Sequence, residues 1–163
     1  MTATRGISTG LIIMSLLCAL LLSVLGMPES IEQLRPQWIL LTIIFWTLNA
    51  PEKVGITTAW VMGLLLDSMT GILLGGHALG ISLVAFIVMN VYQRLRIFPI
   101  WQQASMVFIL LLIERLVHFW VLNISKGISP GLDFWLSPLV GLFIWPWLSM
   151  LLTELIHRLP ERT

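Results

Sequence analysis

Six mainly apolar stretches, separated by short polar breaks, run along the chain from residue 7 to residue 156. A helix needs about 20 mainly apolar residues, within a range of about 17–25, to cross the hydrocarbon core of a bilayer. The pattern therefore predicts an all-α integral membrane protein, a single polytopic domain over residues 1–163 with six transmembrane helices. The predicted spans cover about residues 7–27, 35–49, 54–70, 77–92, 100–122 and 134–156.

The first two spans each leave an alternative open. Arg5 followed by an apolar run also fits a secretory signal peptide, but the run exceeds the usual hydrophobic region of about 7–15 residues, which favours a retained helix. The second span, from Arg35 to about Asn49, gives only about 21 Å at ~1.5 Å per residue, short of the ~30 Å hydrocarbon thickness. This segment could cross the membrane if the bilayer thins locally or if the helix starts nearer Ile31. Alternatively, it is a re-entrant segment, and the protein then has five spans.

Lysine and arginine residues are distributed unevenly between the predicted loops. Cytoplasmic loops of membrane proteins carry an excess of these residues. Six spans with the N-terminus inside satisfy this rule, whereas five spans would place Arg158 and Arg162 outside. We therefore predict that both termini are cytoplasmic. The inner segments then hold Arg5, Lys53, Arg94, Arg96, Arg158 and Arg162, and the outer loops hold Arg35 and Lys126.

Composition supports a membrane protein and excludes several functions. The chain is 58% hydrophobic and 10% charged, whereas soluble domains carry roughly 25% charged residues, so lipid must be the solvent. The charges are too few and too scattered for a phosphate-binding stripe, which excludes a nucleic-acid partner. The single cysteine, Cys18, permits no intramolecular disulfide and no cysteine-based metal site.

Motifs of enzymes are missing from the sequence. It contains no H-E-x-x-H, no G-x-S-x-G, no P-loop and no dinucleotide fingerprint. Histidines and carboxylates show no ligand spacing for a metal, and the loops are too short to carry a catalytic domain. We therefore expect that the protein is not an enzyme and that it has no catalytic residue, no cofactor and no metal site.

Small residues recur every four positions in and just past the third span. This spacing puts them on one helical face, and small residues let a second helix approach closely in lipid. The face serves either internal packing of the bundle or docking of a partner's transmembrane helix. The residues concerned are Gly63, Asp67, Gly71 and Gly75.

Asp67 is the one carboxylate of the third span. A carboxylate inside a membrane segment is costly, is usually paired, and marks a candidate functional site. The predicted topology places Asp67 near the outer end of its span. It is then a carboxylate in contact with outer water, a member of an ion pair, or part of a proton or substrate relay.

The fifth span carries three further ionisable residues, Glu114, Arg115 and His118. Glu114 and His118 are four positions apart and can meet on one helical face. Arg115 lies in the outer half of the bilayer, at the depth inferred for Asp67, so an ion pair between these two residues is the preferred interpretation. The alternative is that Arg115 extends to the outer headgroups.

Ionisable residues near the span ends are assigned structural roles. Glu154 and Arg158 have the spacing of an i,i+4 ion pair at the inner end of the sixth span. His77 begins the fourth span and His157 ends the sixth, positions typical of the membrane interface.

Three short motifs, in their order along the chain, resemble the family of the bacterial rod shape-determining protein MreD. The resemblance covers essentially the whole chain in length, hydropathy and motif order, and the charges of the fifth span lie outside these motifs. The motifs are Arg35-Pro36-Gln37-Trp38-Ile39-Leu40-Leu41, Gly63-Leu64-Leu65-Leu66-Asp67-Ser68-Met69-Thr70-Gly71 and Trp101-Gln102-Gln103.

The resemblance implies a non-catalytic scaffold in the bacterial inner membrane, part of the peptidoglycan synthesis machinery of cell elongation and needed for rod shape. Family members act with the bitopic protein MreC, and they link MreB filaments to RodA and its class B transpeptidase. The family is also similar in architecture to the S subunits of energy-coupling-factor transporters, which have six helices with both ends inside. That similarity supplies the alternative function, a membrane-embedded small-molecule binding subunit of a transporter with an outward pocket near Asp67 and Arg115.

Overall fold

The described part of the chain forms six α-helices in a computed structural model. The structure describes residues 7–25, 28, 34–71, 74–127 and 129–158, and no strand occurs within these ranges. The all-α prediction is confirmed. Arg5, Ile31 and Arg162, which entered the predictions of span ends and loop charge, lie outside the described residues. The helices are α1 Thr9–Val24, α2 Trp38–Asn49, α3 Ile56–Thr70, α4 Gly76–Leu95, α5 Ile100–Lys126 and α6 Leu136–Arg158, with a 3-10 turn Leu132–Trp135 before α6.

Helix length divides the bundle into two groups. Three segments are long and apolar enough to cross a membrane, namely Gly76–Leu95, Ile100–Lys126 and Leu132–Arg158. The other three helices are apolar but shorter, at 10–17 residues. The last three predicted spans therefore have the length and composition of membrane helices, and the first three stay predictions as full spans.

The short helix α2 lies at the centre of the bundle. Its residues from Ile39 to Leu48 are all buried, and it contacts each of the other five described helices. A helix that is apolar all round is typically enclosed by protein or lipid. The 12 residues of α2 extend about 18 Å. Because neighbouring helices surround it, α2 need not match the hydrocarbon thickness by itself.

Helices α3 and α4 form a closely packed hairpin. They are joined by a short connection, which makes them antiparallel neighbours. A Cβ atom added to Gly63 on α3 would lie 2.4 Å from the Cα atom of Ala78 on α4. The two backbones therefore approach as closely as they do because position 63 has no side chain.

The outward surfaces of the long helices are apolar. Large hydrophobic side chains are exposed along α4, α5 and α6, more than a protein in water normally shows. Lipid is the solvent that such surfaces require. Examples are Phe86, Trp120, Phe143 and Trp147.

Candidate functional site

Ionisable residues of α3, α4 and α5 meet at the end of the bundle where α3 finishes and α4 begins. Asp67 comes from the last turn of α3, His77 from the first turn of α4, and Glu114 and His118 from α5. Asp67, Glu114 and His118 are only 0%, 2% and 3% exposed. Buried ionisable groups in a membrane protein are costly unless they have partners, so their contacts identify what this site is built for.

The carboxylate of Asp67 caps the start of α4. Its Oδ2 accepts hydrogen bonds from the backbone N–H groups of Gly75 at 2.9 Å and Ala78 at 3.3 Å, and its Oδ1 accepts one from the N–H of His77 at 3.0 Å. Oδ1 also lies 2.9 Å from Nδ1 of the His77 ring. The first N–H groups of a helix have no partner within the helix, and a negative charge near them is favourable. Asp67 therefore fastens the end of α3 to the start of α4.

Gly71 and Gly75 form the turn that makes this contact possible. Gly71 ends α3 with φ at 65°, and Gly75 precedes α4 with φ at 103°. Both values lie in the left-handed region, which glycine adopts without strain. Within the described ranges, a Cβ atom on either residue would meet nothing closer than 4 Å. The expected packing face of small residues is therefore corrected: Gly63 makes the close helix contact, and Gly71 and Gly75 serve the turn.

Asp67 has other partners than the Arg115 that the sequence analysis preferred. Neither Asp67 oxygen forms an ion pair with Arg115 in the described part of the chain. The guanidinium carbon of Arg115 instead lies 4.5 Å from the centre of the Phe134 ring, a cation–π contact. The backbone donors of α4 belong to the same hairpin as Asp67, so they reach the carboxylate more readily than a side chain from α5.

Glu114 is held by a residue that the sequence analysis did not single out. The side-chain Nε2 of Gln37, just before α2, donates a hydrogen bond of 2.6 Å to Oε2 of Glu114. Among the described residues, no lysine, arginine or histidine lies within ion-pair distance of this carboxylate. A Cβ atom on Gly80 of α4 would lie 3.0 Å from Cγ of Glu114, so this glycine makes room for the side chain. Gln37 belongs to the first of the three family motifs, and this membership was the one feature of the sequence that pointed to it.

His77, which was expected at the membrane interface, is partly buried at the start of α4 and packs inside the site. Its ring centre is 4.1 Å from that of His118, with the planes inclined by 34°. The ring of His118 stacks in turn on Phe134, at 5.9 Å and 14°. One ligand-type atom each from His77, Glu114 and His118 lies within 4.8 Å of the other two. These three residues, which we call the ligand cluster, could hold a metal ion, a grouping that sequence spacing did not indicate.

A cavity of about 450 Å³ adjoins the ligand cluster. Pockets for small molecules typically measure about 300–1,000 Å³, so the volume suits a small ligand. Arg115 lines the cavity, whereas the Asp67 carboxylate faces the start of α4. The polar wall of the cavity includes Arg35, Gln37, His77, Glu114, Arg115 and His118.

Arg35 connects three helices beside this cavity. Its carbonyl oxygen accepts a hydrogen bond of 2.6 Å from Oγ of Ser137 in α6, and its Nη2 donates to the carbonyl oxygen of Leu25 after α1. Its buried Nε has no hydrogen-bond partner among the described residues. Arg35 therefore orders the entry to α2 and also presents positive charge to the cavity.

The i,i+4 pair at the far end of α6 is confirmed. Nε of Arg158 lies 2.7 Å from Oε1 of Glu154, and both side chains are exposed. Exposed pairs of this kind contribute only about 0.3–0.5 kcal/mol, so the contact is structural and minor.

Comparison with known proteins gives the chain a family. No solved structure matches it, so the expected similarity to transporter S subunits stays a prediction. Residues 4–155 match the family described as rod shape-determining protein MreD. A protein of that name from Haemophilus influenzae is 30% identical over 141 residues, which cover 84% of this chain and 85% of that protein. The chain therefore belongs to the MreD family of rod shape-determining proteins.

Proposed function

We propose that this chain is a non-catalytic scaffold of the peptidoglycan synthesis machinery that elongates rod-shaped cells. In this proposal it crosses the bacterial inner membrane six times, and its helix faces bind a bitopic MreC-like protein. RodA, a class B transpeptidase and MreB are contacted directly or through that partner. Membership of a shape-determining family supports the role.

The observation that carries the proposal is the division between polar interior and apolar exterior. The ionisable side chains of α3 and α5 are buried and engage neighbouring helices, whereas the long helices present large apolar side chains outward. Transmembrane helices associate in lipid through close packing and hydrogen bonds between helices, so a partner helix would pack on one of these outward faces. The Gly63 face is occupied by α4, so the partner docks on other, outward surfaces.

Photo-crosslinking in living cells tests this assignment. An unnatural crosslinking residue is placed at one exposed apolar position on each of five helices, with buried Val84 as the matched control. We expect crosslinks to a bitopic membrane protein from one helix or two neighbouring helices, and none from position 84. Crosslinks to lipid alone from all five positions would contradict a partner-binding scaffold. The positions are Met14, Leu65, Phe86, Trp120 and Phe143.

A cell-shape assay tests the role itself. Depletion of the chain in its own host should convert rods to spheres, and re-expression should restore the rod. Normal rods after complete depletion would contradict the proposal even if a partner is crosslinked.

The cavity favours a second candidate, a small-molecule binding subunit of a transporter. Its volume of about 450 Å³ and its polar wall suit a vitamin-sized ligand. Native mass spectrometry of the purified chain distinguishes the two functions. A stoichiometric organic ligand, retained through purification, would favour the transporter, whereas a ligand-free chain that captures a bitopic protein favours the scaffold.

A further inference from the structure

Three side chains of metal-ligand type converge on one point of the cavity wall. His77, Glu114 and His118 bring one candidate ligand atom each to within 4.8 Å of the others. On a tetrahedral zinc ion, bonds of about 2.0–2.2 Å place neighbouring ligand atoms about 3.3 Å apart. Since the candidate atoms lie within 4.8 Å of one another, they must approach by up to ~1.5 Å to reach that spacing.

Two of the three side chains are already oriented by a second layer of contacts. A metal-bound histidine usually donates its other ring N–H to a carboxylate, which fixes the orientation of the ring. Nδ1 of His77 lies 2.9 Å from Oδ1 of Asp67, which leaves Nε2 for a metal. Gln37 donates to Oε2 of Glu114, which leaves Oε1 for the same ion. Asp67 is itself held by the backbone N–H groups of Gly75 and His77 at the start of α4.

The third side chain has an unused ring nitrogen in a buried position. His118 is 3% exposed, and its Nδ1 finds no hydrogen-bond partner in the part of the chain that the structure describes. A buried polar atom without a partner is unfavourable, so a ligand for this nitrogen would stabilise the site. Coordination to a metal would satisfy it.

Charge supplies an independent argument. Glu114 is 2% exposed, and its hydrogen bond comes from the neutral amide of Gln37. The adjacent Arg115 places its guanidinium over the ring of Phe134. A carboxylate buried in a membrane bundle is costly, and a divalent cation bound directly to it would place positive charge closer to it than Arg115, which forms no ion pair with it in the described ranges.

We infer that His77, Glu114 and His118 bind one first-row divalent transition-metal ion, with zinc the best match to two imidazoles and a carboxylate. The adjoining cavity leaves a coordination position open, to be filled by water or by an oxygen ligand from the cavity. The inference does not rest on the scaffold function, because it concerns the isolated chain.

Metal titration of the purified full-length chain tests the site. The protein is made with a tag free of histidine, stripped with a chelator, and titrated with Zn²⁺ in detergent against a fluorescent zinc indicator. We expect one equivalent of zinc to bind. Asp67→Asn should weaken binding about 10- to 100-fold, because removing a second-layer partner has effects of that size. His118→Ala and Glu114→Gln remove ligands and should weaken binding further.

His157→Ala is the matched control, since His157 is an exposed histidine in the last turn of α6. It should bind zinc like the unmodified chain. Wild-type protein that takes up no zinc above a detergent blank would overturn the inference, as would His118→Ala and Glu114→Gln variants that bind as tightly as the control.

Cobalt spectroscopy of the unmodified chain keeps the test decisive if a variant fails to fold. Co²⁺ held by two imidazoles and a carboxylate in a four-coordinate site gives intense visible absorption, which stoichiometric Zn²⁺ should abolish. A weak spectrum typical of six-coordinate, water-rich Co²⁺ would show adventitious binding and contradict the site.

Discussion

Asp67 belongs to α3, yet it accepts two hydrogen bonds from the backbone of α4 and a third from Gly75, just before α4. A carboxylate that neutralises several helix-start donors at once contributes through charge and through hydrogen bonding. Oδ1 of Asp67 contacts both the backbone N–H and the ring Nδ1 of His77. At the scale of single residues, Asp67 and His77 therefore act as a unit at the junction of two helices.

A double-mutant cycle tests this unit. Asp67→Ala should lower the free energy of unfolding by about 1–3 kcal/mol, because buried backbone donors lose their acceptor. His77→Ala should be coupled to it by about 0.5–3 kcal/mol, as contacting residues usually are. Reversible unfolding of the four proteins in mixed micelles gives both quantities.

A matched second cycle combines Asp67→Ala with Arg115→Ala in place of His77→Ala. Since Arg115 packs on Phe134 and forms no ion pair with Asp67 in the described ranges, its coupling to Asp67 should stay below about 0.5 kcal/mol. A coupling to Arg115 as large as that to His77 would restore the ion pair first inferred from depth.

At the scale of elements, the α3–α4 hairpin depends on close backbone contact. Gly63 faces Ala78, and the turn after α3 uses glycines with positive φ. The contact and the turn place Asp67 against the start of α4. The hairpin therefore positions His77, one of the three residues of the ligand cluster.

Gly63→Ala should destabilise the bundle. The added Cβ atom would lie 2.4 Å from Cα of Ala78, which is backbone and cannot rotate away. Overpacking of this kind costs about 1–3 kcal/mol, measurable as a loss of thermal stability in detergent. Gly10→Ala is the control: its Cβ atom would meet only Oγ of Ser8, at 3.4 Å, so stability should be unchanged or slightly raised. Equal stability of the two variants would show that α3 and α4 are not in such close contact.

At the scale of the whole molecule, the ligand cluster lies at the end of the bundle where α3 finishes and α4 begins. In the proposed six-span topology this is the outer end, where Arg35 also lies. A metal or ligand would then enter the cavity from the periplasm. The topology thus decides from which compartment the site is supplied.

Cysteine labelling of intact cells tests the topology. In a Cys18→Ser background, which removes the one native thiol, Lys126→Cys should react with a membrane-impermeant maleimide. Arg96→Cys should react only after the cells are permeabilised, because the positive-inside rule puts it in the cytoplasm. Both residues are exposed at helix ends, so the pair is matched for access. If Arg96→Cys reacts in intact cells and Lys126→Cys is protected, the topology is the inverse of the one proposed.

The helices could be predicted from the amino-acid sequence, because apolar length and helix-ending residues are local properties. The predicted spans 54–70 and 100–122 correspond to α3 Ile56–Thr70 and α5 Ile100–Lys126. The Glu154–Arg158 pair was predictable for the same reason, since both residues lie one turn apart on a single helix. Motif order also indicated the family.

Which side chains meet across helices could not be predicted in this way. Helices that are apolar all round carry no stripe to mark an inward face, so their rotation and their neighbours are set by packing alone. The central position of α2, the hydrogen bond of Gln37 to Glu114, and the convergence of His77 and His118 all depend on that rotation. The sequence marked Asp67 as a carboxylate within a span, but its partners at the start of α4 depend on the turn that brings the two helices together.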